Sequence, residues 1–296
     1  MAAIDPSAPV SRASRWSVRP TRQSRRILRG RRDTERMLGL GILLASLLAF
    51  VVVPLVGPDP DALHTPQQPP SGAHWFGTDW LGRDIFARVM AAGRLDLLVT
   101  VVGVCCCVAV GTALGLLIAV VPRYVRTALL RVIDALLAVP FVVIVVALVN
   151  VIGQRRVLPF LAPSVGALLL AIVVVGWAPY TRFTVSQALV LREREHVVAA
   201  RLLGYGRIRI LLRHVAPLVM GVNLSFAASQ AVGTIGLIAS LAFLGAGVQE
   251  PTPDLGAMIQ GGLALLPVAW WIAIIPGLFV LLLGVGFALV ADSGRR

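Results

Sequence analysis

Residues 95–121 read LDLLVTVVGVCCCVAVGTALGLLIAVV, an unbroken apolar block of 27 residues from Leu95 to Val121 with one charge, Asp96, at its start. An α-helix rises about 1.5 Å per residue, so about 20 apolar residues cross a bilayer. This block exceeds that length. Five more blocks repeat the pattern: about Met37–Gly57, Val132–Ile152, Ser164–Tyr180, Leu218–Gly247 and Val268–Ala291. The blocks at 95–121 and 218–247 are long enough to tilt, kink or run into the interface. The expected fold is an all-α integral membrane protein with six transmembrane helices in one bundle.

Composition agrees. The chain has 296 residues, of which 57% are hydrophobic and 14% charged, with a mean hydropathy of +0.86. Soluble domains average about 45–50% apolar and about 25% charged residues. An ordinary soluble enzyme, a disordered chain and a small disulfide scaffold are excluded. The first block starts late and ends in the turn Gly57-Pro58-Asp59-Pro60, without small-residue cleavage chemistry, so it reads as a retained helix.

The formal net charge is +13, and all 27 basic residues are Arg. Without Lys there is no standard phosphate-binding P-loop and no Schiff-base chemistry. Any use of ATP falls to another chain. A basic chain raises the question of nucleic acid, but here the Arg residues flank apolar blocks, where topology selection places them. With the N-terminus in the cytoplasm, 22 Arg lie on cytoplasmic segments. Five lie outside: Arg83, Arg88, Arg94, Arg155 and Arg156. The excess of inner Arg predicts that both termini are cytoplasmic.

The expected organisation follows. Residues 1–36 form a disordered Arg-rich cytoplasmic tail, residues 37–57 the first helix, and residues 58–94 an outer loop. In that loop Ile85, Phe86, Val89 and Met90 recur at helical spacing, predicting an interfacial helix along the bilayer surface. Residues 95–291 form the core with five spans and a cytoplasmic loop at 192–217, and residues 292–296 are a cytoplasmic end. Trp270 and Trp271 suit an interfacial aromatic belt.

No catalytic constellation stands out. His64, His74, His196 and His214 form no His-x-x-x-His pair, and the acids do not group as paired carboxylates. Cys105, Cys106 and Cys107 are adjacent in an apolar block and read as small hydrophobes. Asp134 is the ionisable residue nearest a span interior, with Arg131 as a local partner or the interface as its outlet. No metal or cofactor site is expected on the chain.

The richest segment is the loop at 192–217. Two amphipathic pieces, the first with Val197, Val198, Ala200, Arg201 and Leu202 and the second alternating Arg with Ile and Leu, meet at Gly204–Gly206, and Pro217 fits the entry to the next span. Acids at the start suit a helix N-terminus, and Gly permits a turn or a close approach. The expected structure is a short helix–turn–helix on the membrane surface, offering a small-residue tip to a cytoplasmic partner.

This loop resembles the EAA loop of ABC-importer permeases. Ala199-Ala200, Gly204 and His214-Val215-Ala216-Pro217 stand at the family spacing. Val198 replaces the usual Glu of the triplet, and His214 and Ala216 replace the usual Ile and Leu. The peptide-importer branch is closer: Val197 to Arg201, Arg207-Ile208 and Arg213-His214 match its pattern. Gly77-Thr78-Asp79, then Leu81-Gly82-Arg83-Asp84, Arg88 and Gly93-Arg94-Leu95 resemble the segment before its second helix, with Asp96 where the family has Ser. Phe243-Leu244-Gly245, Gly247, Pro251-Thr252-Pro253-Asp254, Ala269-Trp270-Trp271 and Pro276-Gly277-Leu278 extend the match to about Ser293.

The chain is therefore identified as a member of the dipeptide/oligopeptide/nickel ABC importer permease family, on the side of its second, C-type subunit. The resemblance implies a coupling role for Glu195, Val198, Ala199, Ala200, Arg201, Gly204, Tyr205, Gly206, Arg207 and Pro217. It implies a family motif at Gly77, Thr78, Asp79, Gly82, Arg83 and Asp84, and an outer gate or binding-protein contact at Pro251, Pro253 and Asp254. It further implies a homologous second permease, two ATPase domains that bind ATP and Mg, an extracytoplasmic solute-binding protein, and membrane lipid around the spans. The expected location is a bacterial cytoplasmic membrane, and the expected cargo is short peptides. Nickel chelates, glutathione or another small solute are the alternatives within the family, and a stand-alone secondary transporter is the alternative outside it.

Overall fold

The computed structural model describes residues 22–293 except 154 and 156–160. Ten α-helices follow in order: α1 (Arg22–Val56), α2 (Ile85–Val120), α3 (Arg123–Ala138), α4 (Phe141–Ile152), α5 (Pro163–Leu191), α6 (Glu195–Leu202), α7 (Arg207–Ile210), α8 (Ala216–Phe243), α9 (Leu255–Gly262) and α10 (Trp271–Ser293). Among the described residues β-structure is limited to two isolated bridges, Leu63 with Arg83 and Thr78 with Asp84. Five helical segments are long and apolar enough to span a membrane, and a sixth forms if the bent α3–α4 pair is one span.

The bundle is assembled on α2 and α5, which run in parallel. Lipid offers no hydrophobic drive between helices, so close packing of small residues has to supply the contact. The contact steps by four residues on both helices. Gly103 faces Ile172, Cys107 faces Gly176, Gly111 faces Tyr180 and Gly115 faces Thr184. A methyl added at Gly111 would lie 2.5 Å from Tyr180 Cβ and 2.6 Å from the Trp177 carbonyl oxygen. The third helix of the junction is α8. Its buried Asn223 donates to Thr112 Oγ1 at 2.7 Å and to Thr184 Oγ1 at 2.8 Å, tying α2, α5 and α8 at one level.

Several sequence expectations change. The third apolar block is not one straight helix: α3 and α4 meet at Val139-Pro140 with a bend of 79°. Pro140 lacks the N–H that would serve the Leu136 carbonyl, and its ring obstructs a straight continuation. No separate interfacial helix exists at 85–94, because α2 runs unbroken from Ile85 through the expected boundary at Leu95. Its first turns face protein rather than headgroups, with Ile85, Val89 and Met90 in the main core. Gly93 allows this by admitting the Phe50 ring of α1 against the helix.

Residues 22–36, expected in the tail, begin α1; residues 1–21 lie outside the described residues. So do Arg156 of the Arg155–Arg156 pair and residues 294–296 of the expected C-terminal end. The fourth span continues past Tyr180 to Leu191, carrying Pro179 inside it. Asp134 pairs across helices with Arg182 of α5 rather than with Arg131 on its own helix. Trp271 is buried and donates to the Thr78 carbonyl, so only Trp270 remains for the interface. The short helix α9, which the sequence pattern left unread, is capped by Asp254, whose side chain accepts from Gly256 N–H.

A Gly111→Leu substitution should force α2 and α5 apart against a backbone carbonyl, costing about 3 kcal/mol. Thermal unfolding in mild detergent should show a lowered Tm for this variant and little change for Gly221→Leu, where no atom lies near the added carbon.

Candidate functional site

The loop at 192–217 is carried on its own small core. Val197 and Ala200 of α6 and Ile210, Leu211 and Val215 beyond it pack on Leu116, Ala119, Ala188 and Val219 of the spans. Arg192, just past α5, donates to the Ala119 carbonyl at the end of α2 at 2.6 Å. That bond satisfies an orphan helix-end acceptor and fixes where the loop departs. Burial, and then Arg201, Arg126 and Arg207, pull the Arg192 pKa below its ordinary value. The platform is thus ringed with positive charge.

The α6 end is a Schellman motif. Gly204 N–H donates to the Arg201 carbonyl at 3.0 Å, and Tyr205 N–H to the Ala200 carbonyl at 3.2 Å. Gly204 has φ of +83°, with no atom within 4 Å of an added Cβ. The glycine is needed for its backbone conformation, and the space outside it is open. Tyr205 stacks on His214 at 6.1 Å and lies beneath Arg209 at 5.7 Å, which links the tip to the segment leading into α8.

Ala200 faces inward, while Glu195, Val198, Ala199, Arg201, Gly204, Tyr205, Gly206, Arg207 and Pro217 are exposed. Leu202, Leu203, Ile208 and Leu212 are exposed at 84%, 75%, 70% and 61%. These four apolar residues were absent from the sequence-based set. Their signal was an apolar excess on a surface loop. The expected second helix does not stand apart. It passes through a π turn, Leu211–Val215, directly into α8. Pro217 withholds the N–H that would serve the Arg213 carbonyl, and the wide turn lies just before it.

At the opposite end of the bundle the Gly77–Asp84 motif is a buried knot. Thr78 Oγ1 donates to the Thr65 carbonyl at 2.7 Å and accepts from Gln68 N–H at 2.8 Å. Asp79 accepts from Leu81 and Arg83 N–H through Oδ1 and from Arg83 Nε through Oδ2 at 2.7 Å. Arg83 also reaches Glu250 at 2.9 Å, and Arg88 reaches Asp61 at 3.1 Å. Asp84 caps α2 through Ala87 N–H and pairs with His74 at 2.7 Å. Gly77 and Gly82 make the turns between these residues at positive φ. Within the second outer segment, Pro251 is exposed while Pro253 and Asp254 are buried. Burial, opposed by N–H groups of Gly256, Val248 and Ala257, pushes the Asp254 carboxyl up to about 6.

A cavity of about 300 Å³ opens at the α3–α4 bend. Cys107, Phe141 and Tyr180 wall it, and Gln230 and Thr234 of α8 bring polar groups to it. Pro140 and Pro179 leave the Leu136 and Val175 carbonyls without their helical donors, and both residues line the same space. Among the described residues no cluster of three metal-ligating side chains occurs.

A polytopic helical bundle with a rigidly mounted surface loop at one end and a charge-locked loop at the other defines a membrane transport component. The chain belongs to the family of binding-protein-dependent transport system inner membrane components, whose family model matches residues 111–293. It is a multi-pass inner membrane protein. It is 31% identical to the dipeptide transport system permease protein DppC of Alkalihalophilus pseudofirmus, over 98% of this chain and 93% of that one. It is 33% identical to the probable D,D-dipeptide transport system permease protein DdpC of Escherichia coli, over 86% and 83% of the two chains. The oligopeptide transport system permease protein OppC of Haemophilus influenzae is also 33% identical, over 86% and 81%.

Replacing Arg83 with Met should leave the buried Asp79 carboxylate without its cation and Glu250 with only its longer contact to Arg88, at 4.0 Å. A loss of about 3 kcal/mol is expected from breaking a buried ion pair on one side. Chemical unfolding in detergent should show it, and Asp61→Asn, at a half-exposed partner, should cost about 1 kcal/mol or less.

Proposed function

We propose that this chain is the second, C-type permease subunit of an ATP-driven peptide importer and is not itself catalytic. It pairs with a homologous permease. Two ATPase domains bind ATP and Mg below it, and an extracytoplasmic solute-binding protein feeds it. Both termini face the cytoplasm, as the excess of Arg on those segments favours. Residues 58–84 and 244–270 then lie outside.

The observation that carries this reading is the loop at 192–217. Leu202, Leu203 and Ile208 stand exposed on a loop that is otherwise fixed by a core, an Arg192 bond and a Schellman turn. Apolar side chains held rigidly in water suit a groove on a partner. The π turn and α8 join that loop without a break to the polar cavity residues Gln230 and Thr234. A push on the loop therefore moves the helix that lines the span interior, and ATP-driven closure of the partners shifts a two-state equilibrium. The relatives' names favour peptides as cargo.

Two variants test the docking. Gly204→Glu places a charge at the tip but also strains a positive φ by about 1–2 kcal/mol. Leu203→Asp leaves the backbone alone. Each should insert normally, retain ATP hydrolysis by the partner subunits and lower dipeptide uptake by about tenfold or more, the effect of losing an interface anchor. Full uptake by Leu203→Asp would remove the coupling assignment. Purification from native membranes with mass spectrometry of co-purifying chains should return a second permease, ATPase subunits and a binding protein. Isolation of the chain alone would instead favour a stand-alone transporter.

A further inference from the structure

Asp96 and Asp254 are far apart in sequence and meet at the first turn of α9. Asp254 caps that turn by accepting Gly256 N–H at Oδ1, 3.0 Å away, while its Oδ2 has no hydrogen-bond partner among the described residues. Asp96, on α2, lies by the neighbouring Leu255 amide and interacts electrostatically with Asp254. Adjacent amides thus hold two carboxyls side by side. Exposure is 5% for Asp96 and 1% for Asp254. Gly256 lies against the Ala239 backbone of α8, which wedges the turn between two spans.

The surrounding charges do not neutralise the pair. Helices α8 and α9 carry no ionisable acid or base, and α10 carries only Asp292 at its far end. On α2, Arg88 is committed to Asp61 and Glu250, and Arg94 is exposed. In the preceding loop Glu250 is paired with Arg83. What remains is the Val248 N–H and the α9 N-terminus, which carries about half a unit of positive charge. That field supports one carboxylate and not two, and close buried carboxyls cannot both ionise. A proton placed between them also supplies the donor that Asp254 Oδ2 lacks.

We propose that Asp96 and Asp254 form a proton-binding site, one proton shared between two carboxyls, that latches α9 onto α2 on the face opposite the coupling loop. When the proton leaves to the adjoining water, two carboxylates share one helix end and repel. The first turn of α9 then loosens from α2. The outer segment 244–265 becomes pH-responsive without any change in the coupling loop.

The sign follows from linkage. With the Asp254 carboxyl, in the loop before α9, pushed up to about 6 by burial, the folded state holds a proton at pH values where an unfolded Asp, near 3.9, has lost it. The folded state then binds more protons than the unfolded one, so stability falls as pH rises from about 4 through about 6 and stays reduced above.

The test uses the full-length protein purified from its own membranes into lipid nanodiscs. Hydrogen exchange of residues 255–262, corrected for intrinsic rates, and the infrared band of protonated carboxyl are followed from about pH 5 to about pH 8, the span that brackets the Asp254 titration. Each series is run in sodium chloride and in choline chloride. In the wild type the carboxyl band should fade as pH rises, and exchange in α9 should speed up by up to about tenfold per pH unit below the midpoint and level off above it. Asp96→Asn keeps a donor for Asp254 and should abolish both responses with α9 protected throughout. Asp96→Ser, which removes the second charge with less bulk, should do the same and serves if the Asn variant inserts poorly. A wild-type profile that is flat would overturn the latch, as would both variants retaining the full wild-type response. A response present only in choline would also overturn it, because the site would then be held by a small cation instead of a proton.

Discussion

The close approach of α2 to α5 is the constraint on which the bundle depends. In lipid, apolar side chains gain little by leaving the solvent, so helices must win contact through shape and a few hydrogen bonds. Gly103, Gly111 and Gly115 on α2 and Gly176 on α5 let two backbones meet along four successive turns. Asn223 then ties α8 to the same pair through Thr112 and Thr184. With these three helices set, the bent α3–α4 unit, α1 and α10 have defined surfaces to cover.

Both ends of the bundle are tied to this frame by polar bonds as well as by packing. At the coupling end, Arg192 donates to the Ala119 carbonyl in the last turn of α2 from the start of the loop, which joins the ends of α2 and α5. At the other end, Arg83 and Arg88 gather Asp79, Asp61 and Glu250 from three separate stretches. Such pairs add little at an exposed surface and more where one partner is buried, as Arg83 and Arg88 are. The result is a frame fixed by packing whose ends are further tied by charge.

Part of the site was legible in sequence because its signals are local. Gly204 followed two apolar turns and an Arg, and it does end α6 in a left-handed conformation. Asp84 preceded a helical apolar pattern, and it caps α2. Other residues misled for equally physical reasons. Ile85, Val89 and Met90 have the spacing of an interfacial helix, and the same spacing serves a helix turn buried in protein. Val132–Ile152 is apolar apart from Asp134 and Asn150, so hydropathy passed over the break that Pro140 imposes. Asp134 had a cation one turn away on its own helix, but the bundle offered it Arg182 on another.

Hydropathy, Arg placement and the motif spacing by themselves determined that the chain is a helical membrane component with a surface loop suited to a partner, because those properties are written in consecutive residues. Which residues touch was decided only when distant helices were brought together. Asp254 read as part of an outer gate or binding-protein contact and Asp96 as a departure from the family's Ser, and nothing joined them until α9 was placed against α2, leaving Asp254 Oδ2 without a donor. Leu202 and Leu203 were indistinguishable from the inward apolar residues beside them until the small core took Val197 and Ala200 and left them outward. Period and composition record which groups avoid water, whereas partnership and burial depend on the relative placement of helices that the chain visits many residues apart.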